Sequence, residues 1–319
     1  MKVHDRTITY SEGMTAGPLD FRPKSSGRIP RGLTFAAVLV IISMLAVILG
    51  NIVYGGIGTI SWDFLTHPPE NGMEEGGVFP AIFGTVALVL LMVIAVVPIG
   101  VLTAIYLHEY TSPKSKITRM IRVAIANLAG VPSIVFGLFG LGFFIAFIGG
   151  GLDWLFYRDE GPVWGQPAII WAALTLALLT LPVVIVSTEE ALRTIPRELK
   201  EASYALGGTK LQTIVRIIIP QSLPGILTGS ILAVSRGAGE VAPIMFTGAA
   251  YYLPYLPNKL NDQFMELGYH IYVMATQSPN IEATKPILYG TVLVLLVLTF
   301  LLNFIAIYIR SSMRKKRAA

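Results

Sequence analysis

The chain has 319 residues, of which 54% are hydrophobic and only 13% charged, and its mean hydropathy is +0.66. Soluble domains carry about a quarter of their residues as charges, so this composition excludes a soluble enzyme and points to a polytopic membrane protein. There is no cysteine, which removes disulfides, thiolate metal sites and cysteine nucleophiles, and His4, His67, His108 and His270 lack any metal-ligand spacing.

Residues 1–31 are polar, with Gly, Pro, Ser and six Lys or Arg, and they contain no apolar run. A loosely ordered tail, not a cleavable leader, is expected. Apolar runs of the roughly 20 residues that a bilayer requires then predict six spans, at Leu33–Tyr54, Phe79–Leu107, Met120–Ile148, Pro167–Ser187, Ser222–Ala249 and Ile287–Ile309. Between the fifth and sixth lies a long connection, Tyr251–Pro286, expected to be an external helix packed on the spans or a re-entrant piece.

The formal net charge of +5 is distributed by side, so it reads as topology and not as a nucleic-acid footprint. The tail, the second-to-third loop, the fourth-to-fifth loop and the C-terminus hold 20 of the 24 Lys and Arg. The other side holds Arg158, Lys259 and Lys285, and Arg236 falls inside a span. By the positive-inside rule both termini and the fourth-to-fifth loop are cytoplasmic, and the basic tails suit an anionic inner leaflet.

That fourth-to-fifth loop contains the stretch EASYALGGTKLQTIVRIIIP, Glu201–Pro220. Pro196 suits a first helical position, Gly207 or Gly208 a turn through positive φ, and Thr209 the cap of a second helix running to Pro220. The segment is therefore predicted to be two short helices broken at the glycines. GGTK is not a phosphate loop, because no Gly-Lys pair exists anywhere in the chain. Glu189 and Glu190 are adjacent, so on a helix they diverge by about 100° and are not a catalytic pair.

Arg236 and Glu240 are the charges expected within the fifth span, four apart and so on one helix face. Intramembrane charges are costly and mark polar pathways or structural pairs. An oxyanion needs a cation, and guanidinium offers planar paired donors to it. The alternative is a structural ion pair holding the bundle. Ser133, and Ser187 with Thr188, are hydroxyl donors in spans, which more often bond helix carbonyls.

Glu201-Ala202-Ser203, three residues, Gly207, nine residues, then Ile217-x-Ile219-Pro220 resembles the loop signature of binding-protein-dependent ABC importer permeases, with Ser203 and Ile219 as small departures. The runs GGVFPAIFGT, GVLTAIYLHEY, GVPSIVFGLFGL, SRGAGEVAP and MELGYHIYVMATQSPN are similar to the A-type permease subunits of Pst phosphate importers, over about Gly76–Ile309. The resemblance implies an all-α, six-span, type I ABC importer permease fold. It implies a tail at 1–31, a first span and external loop at 32–78, a permease core at 79–309 and a basic tail at 310–319.

It further implies a multi-pass subunit of a bacterial-type inner membrane, with Glu201, Ala202, Gly207 and Pro220 in a coupling helix that docks on an ATPase. Arg236, Glu240 and Ser133 would line a phosphate pathway. The partners implied are a C-type permease, two ATP-binding subunits and an extracytoplasmic phosphate-binding protein, with no nucleic acid. ATP and Mg would be held by the ATPase, with no cofactor on this chain and no catalysis by it. A permease for sulfate or molybdate, or an ion-coupled secondary carrier, are the alternatives; the carrier leaves the Glu201 segment without a purpose.

Overall fold

The computed structural model describes residues 28–112, 114–159 and 161–318. The polar tail read over 1–31 thus lies, through residue 27, outside the described residues. The described chain divides into two units at Gly50. The first contributes most of helix α1, Arg28–Gly56, and its residues 30–50 are all exposed. An apolar helix with no polar face is the form that hydrocarbon demands, since all its backbone groups bond internally.

In the second unit, α2 (Trp62–Thr66) is capped by Ser61, whose hydroxyl accepts from Phe64 N–H. A minimal hairpin follows, β1 (Pro69–Glu70) antiparallel to β2 (Glu75–Gly76), closed by a turn in which Asn71, Gly72 and Met73 all have positive φ. Next come α3 (Phe79–Ile105), α4 (Lys116–Leu128), α5 (Ser133–Phe139), α6 (Gly150–Phe156) and α7 (Ile169–Arg193). The remainder comprises α8 (Arg197–Ala205), α9 (Lys210–Thr213), α10 (Ile219–Gly237), α11 (Ile244–Thr247), α12 (Leu267–Gln277) and α13 (Ile281–Ala318). π-Helical stretches extend α3 through Tyr110, join α5 to α6 and join α9 to α10.

Among the described residues six helices are long and apolar enough to cross a membrane: Pro30–Gly56, Phe79–Tyr110, Ser133–Phe156, Ile169–Arg193, Lys210–Gly237 and Ile281–Met313. Two differ from the reading of the sequence. The third span starts at Ser133, because Gly130-Val131-Pro132 breaks the chain after α4. Pro132 disfavours α conformation before it and has extended ψ itself. α4 is a separate amphipathic helix that buries Thr118 and exposes Ile117 and Met120. The fifth span begins at Lys210 and ends at Gly237, about three turns earlier than expected. Pro220 does not end the second short helix. It sits in the first turn of α10, where a missing N–H leaves little unsatisfied.

Span four is the axis of the bundle, with 67% of its most apolar window buried. It packs with α3 and α10 around Leu88, Met92, Leu176, Val184 and Ala233. A second core joins the ends of α3 and α7 to the α9–α10 junction through Leu107, Leu192, Ile214 and Ile218. The segment 260–277 is not a surface loop. Phe264, Met265 and Leu267 are fully buried, and Asp262 and Leu260 carbonyls accept from the first turn of α7. Gly84 on α3 makes room for it, since a Cβ there would lie 2.0 Å from the Met265 carbonyl oxygen.

Candidate functional site

The α8–α9 segment is assembled from local signals. Pro196 takes the cap position of α8, one residue earlier than expected. α8 ends at Ala205 with Leu206 as its cap, and Gly207 turns the chain at φ +81°, a conformation that costs a side chain but not glycine. Gly207 N–H donates to Tyr204 O and Gly208 N–H to Ser203 O, so the last carbonyls of α8 are satisfied. Thr209 then caps α9 through a reciprocal pair: Gln212 N–H donates to its hydroxyl, and its own N–H donates to Gln212 Oε1 at 2.9 Å. The Ser203 and Thr213 hydroxyls, 2.8 Å apart, bind the two limbs together.

No residue of α8 is buried. Glu201, Ala202 and Gly207 are exposed, Pro220 is half-buried, and Leu206 is 90% exposed. A cleft of about 420 Å³ opens on this segment, lined by Ala202, Ser203, Leu206, Gly207, Gln212 and Arg216. The apolar tip, the small residues and the exposed Glu201 carboxylate beside a fixed turn form a surface that a partner can grip.

The second place is the end of α10. Arg236 lies in its last turn, and Glu240 falls beyond the helix, past Ala238 and Gly239. The two therefore do not share a face of one helix, as four-residue spacing had suggested. They still meet across the break, with Arg236 Nε donating to Glu240 Oε1 at 3.4 Å, both half-buried. The terminal guanidinium nitrogens make no hydrogen bond among the described residues, which leaves a planar pair of donors.

Ser133 begins α5, half-buried, and bonds neither charge. Its helix does pack at Gly137 against Ala242 and Pro243, just beyond Glu240. Ser187 lines a separate cleft of about 500 Å³ between α7 and α10, with Glu190, Gln221 and Thr228. Thr188 is buried, and its hydroxyl has no partner among the described residues. Among the described residues no group of His, Asp and Glu is arranged to hold a metal ion.

Several ionic partners were not visible in the sequence. Glu189 is buried and accepts from Arg122 at 3.0 Å, while Arg122 also donates to Leu107 O; Glu190 points to the exposed side. Glu109 meets Lys200 and Lys210. Glu266 caps α12, accepting from Tyr269 N–H at 2.7 Å and from Thr85. Burial pushes its carboxyl up to about 7, and burial pushes the neighbouring His270 down to about 4. The only sequence signal for these was an acid or imidazole in an otherwise apolar run, such as LHEY and MELGYH.

Six helices long and apolar enough to cross a membrane, with the exposed helix α8 and its glycine turn between the fourth and fifth, define a multi-pass membrane protein. Residues 96–315 match the family described as binding-protein-dependent transport system inner membrane component, and the chain belongs to that family. It is 36% identical over 232 residues to the phosphate transport system permease protein PstA of Mycobacterium leprae, covering 72% of this chain and 71% of that one. It is 33% identical over 224 residues to the probable ABC transporter permease protein YqgI of Bacillus subtilis, covering 70% and 71%. Its fold is similar to that in the crystal structure of a bacterial alginate ABC transporter in complex with an alginate pentasaccharide-bound periplasmic protein. There the TM-score is 0.60 at 17% identity, covering 87% of this chain and 94% of the other.

Proposed function

We propose that this chain is a transmembrane permease subunit of an ATP-driven phosphate importer in a bacterial-type inner membrane. It forms the pathway with a second, related permease subunit of C type. Two ATP-binding subunits grip the Glu201–Gly207 surface, and an extracytoplasmic phosphate-binding protein delivers substrate to the other side. Both termini are cytoplasmic in this reading, which the Lys and Arg distribution supports. This chain hydrolyses nothing. ATP and Mg belong to the ATPase, whose closure shifts the spans between two states.

The observation that carries this reading is the α8–turn–α9 element: held rigid by its own caps, yet exposing Glu201, Ala202 and Leu206. A stiff, uncovered knuckle beside spans is the part a motor subunit needs. Phosphate as the cargo is supported by the name of the Mycobacterium leprae relative and by the donors left free on Arg236. Glu240 occupies Nε and tempers the grip, so that an anion binds and leaves.

The test is uptake of labelled phosphate in cells lacking this chain, with and without complementation. Restored uptake that excess sulfate does not compete supports the reading. Restored sulfate or molybdate uptake instead assigns another oxyanion. Purification of the complemented complex with no ATPase attached would overturn the motor-driven reading.

A further inference from the structure

We propose that Glu109 is a positioning residue, the point at which motion of the α8–α9 segment is passed to the second span. The proposal rests on the importer reading above and adds a route within it. α8 has no buried residue, and its hydroxyl tie runs only to α9. The apolar core at Leu107, Ile214 and Ile218 joins the α9 limb to the second span, so α8 itself needs a side-chain contact to reach that span.

Glu109 supplies that attachment. It lies in the π-helical turn Tyr106–Tyr110 that closes the second span, and its side chain is 8% exposed. Its carboxylate accepts from Lys200 Nζ, at mid-helix in α8. Its main-chain carbonyl accepts from Lys210 Nζ at 2.6 Å, and that ammonium also lies 4.4 Å from the centre of the Tyr110 ring. His108 Nε2 is 3.6 Å from the same carboxylate oxygen. The two lysines come from opposite sides of the Gly207 turn, so both limbs of the knuckle end on one residue of another span.

The placement favours transmission over simple stability. A shielded ion pair gains little net stability, because desolvation offsets attraction, but losing one partner is costly and its geometry is specific. π-Helical turns depart from the regular ladder and recur at functional sites. One such turn holds Glu109, and another, Ile214–Ile218, follows α9 immediately. The contact thus joins two irregular helical turns, the one that carries Glu109 and the one that follows Lys210. The second span then carries the displacement into the core it shares with α7 and α10.

The test uses the complete importer, with its ATPase and binding protein, in proteoliposomes, reading phosphate uptake per ATP hydrolysed. Glu109→Gln and Lys200→Met are each expected to lower that ratio about tenfold, within the range of a lost coupling contact, while ATP hydrolysis continues. The double variant should be no worse than either single one, as two halves of one contact require. Because the chain has no cysteine, Glu109→Cys with Lys200→Cys can be bridged by a short bifunctional thiol reagent, and bridging should restore the ratio. That arm decides the matter if the single variants assemble poorly. An unchanged ratio, a multiplicative double variant, or a bridged pair that stays uncoupled overturns the proposal. Wild-type complexes that hydrolyse ATP without moving phosphate would instead overturn the importer reading.

Discussion

Replacing Arg236 with alanine removes the free donor pair at the end of α10. Each charge-assisted hydrogen bond to an oxyanion is worth about 1.5–3 kcal/mol, and two terminal nitrogens are available. Arg236 is 36% exposed in its side chain, so water recovers part of that. Taking the lower end for both bonds leaves about 3 kcal/mol, or roughly two orders of magnitude in transport rate. Arg236→Lys keeps the charge but loses the fork and the Nε bond to Glu240, and should fall between alanine and wild type. Glu240→Gln frees the guanidinium. It should tighten apparent affinity by roughly threefold, the scale of a half-exposed pair, and slow turnover. The assay is initial uptake of labelled phosphate at several concentrations, corrected for the amount of assembled complex. Arg236→Ala transporting within twofold of wild type would refute the pathway role. Uptake loss that tracks failed assembly would make the pair structural.

Gly207→Ala places a side chain at φ +81°, with no atom within 4 Å to clash. The cost is backbone strain alone, roughly 1 kcal/mol. Amide exchange over residues 204–212 should quicken about fivefold and less ATPase should co-purify; unchanged exchange would show that the turn does not need glycine. Gly84→Ala drives a Cβ into the Met265 carbonyl at 2.0 Å. A loss of about 1–3 kcal/mol is expected, and an unchanged Tm in detergent would mean that 260–277 is not wedged on α3. Glu266, raised from 4.5 to about 7 by burial, contributes stability in its protonated form. That contribution is fully present below pH 4.5 and is lost as pH rises to about 7, an effect of about 3 kcal/mol. Burial of His270, pushed down to about 4, acts in the opposite sense in both proteins, so the test is the difference: wild-type Tm should fall relative to that of Glu266→Gln across this window, and parallel pH profiles would count against it.

Much of the architecture was legible because it depends on local composition. Twenty apolar residues in a row can only be satisfied as a helix in lipid, so all six spans were visible, and the sidedness of Lys and Arg added an orientation to propose. The helix–turn–helix at 197–213 was legible for the same reason: the Gly207 turn and the Thr209 cap are chemistry between near neighbours. Span limits were less so. Hydropathy does not separate the amphipathic Met120–Leu128 from the span after it, and the Gly130-Val131-Pro132 break was the cue that mattered. Likewise Gly237-Ala238-Gly239 ended α10 where the apolar count ran on to Ala249.

What only the tertiary structure decided was which distant polar groups meet. Glu109 is 91 residues from Lys200, and Arg122 is 67 from Glu189. No periodicity encodes such pairs, because they are set by how helices α3, α4, α7 and α8 come together and which side chains that contact shuts from water. The burial of Glu266 against Thr85, 181 residues away, follows the same rule. Short-range sterics and solvation are properties of a stretch of sequence, whereas the partner of a buried charge is a property of the packed bundle.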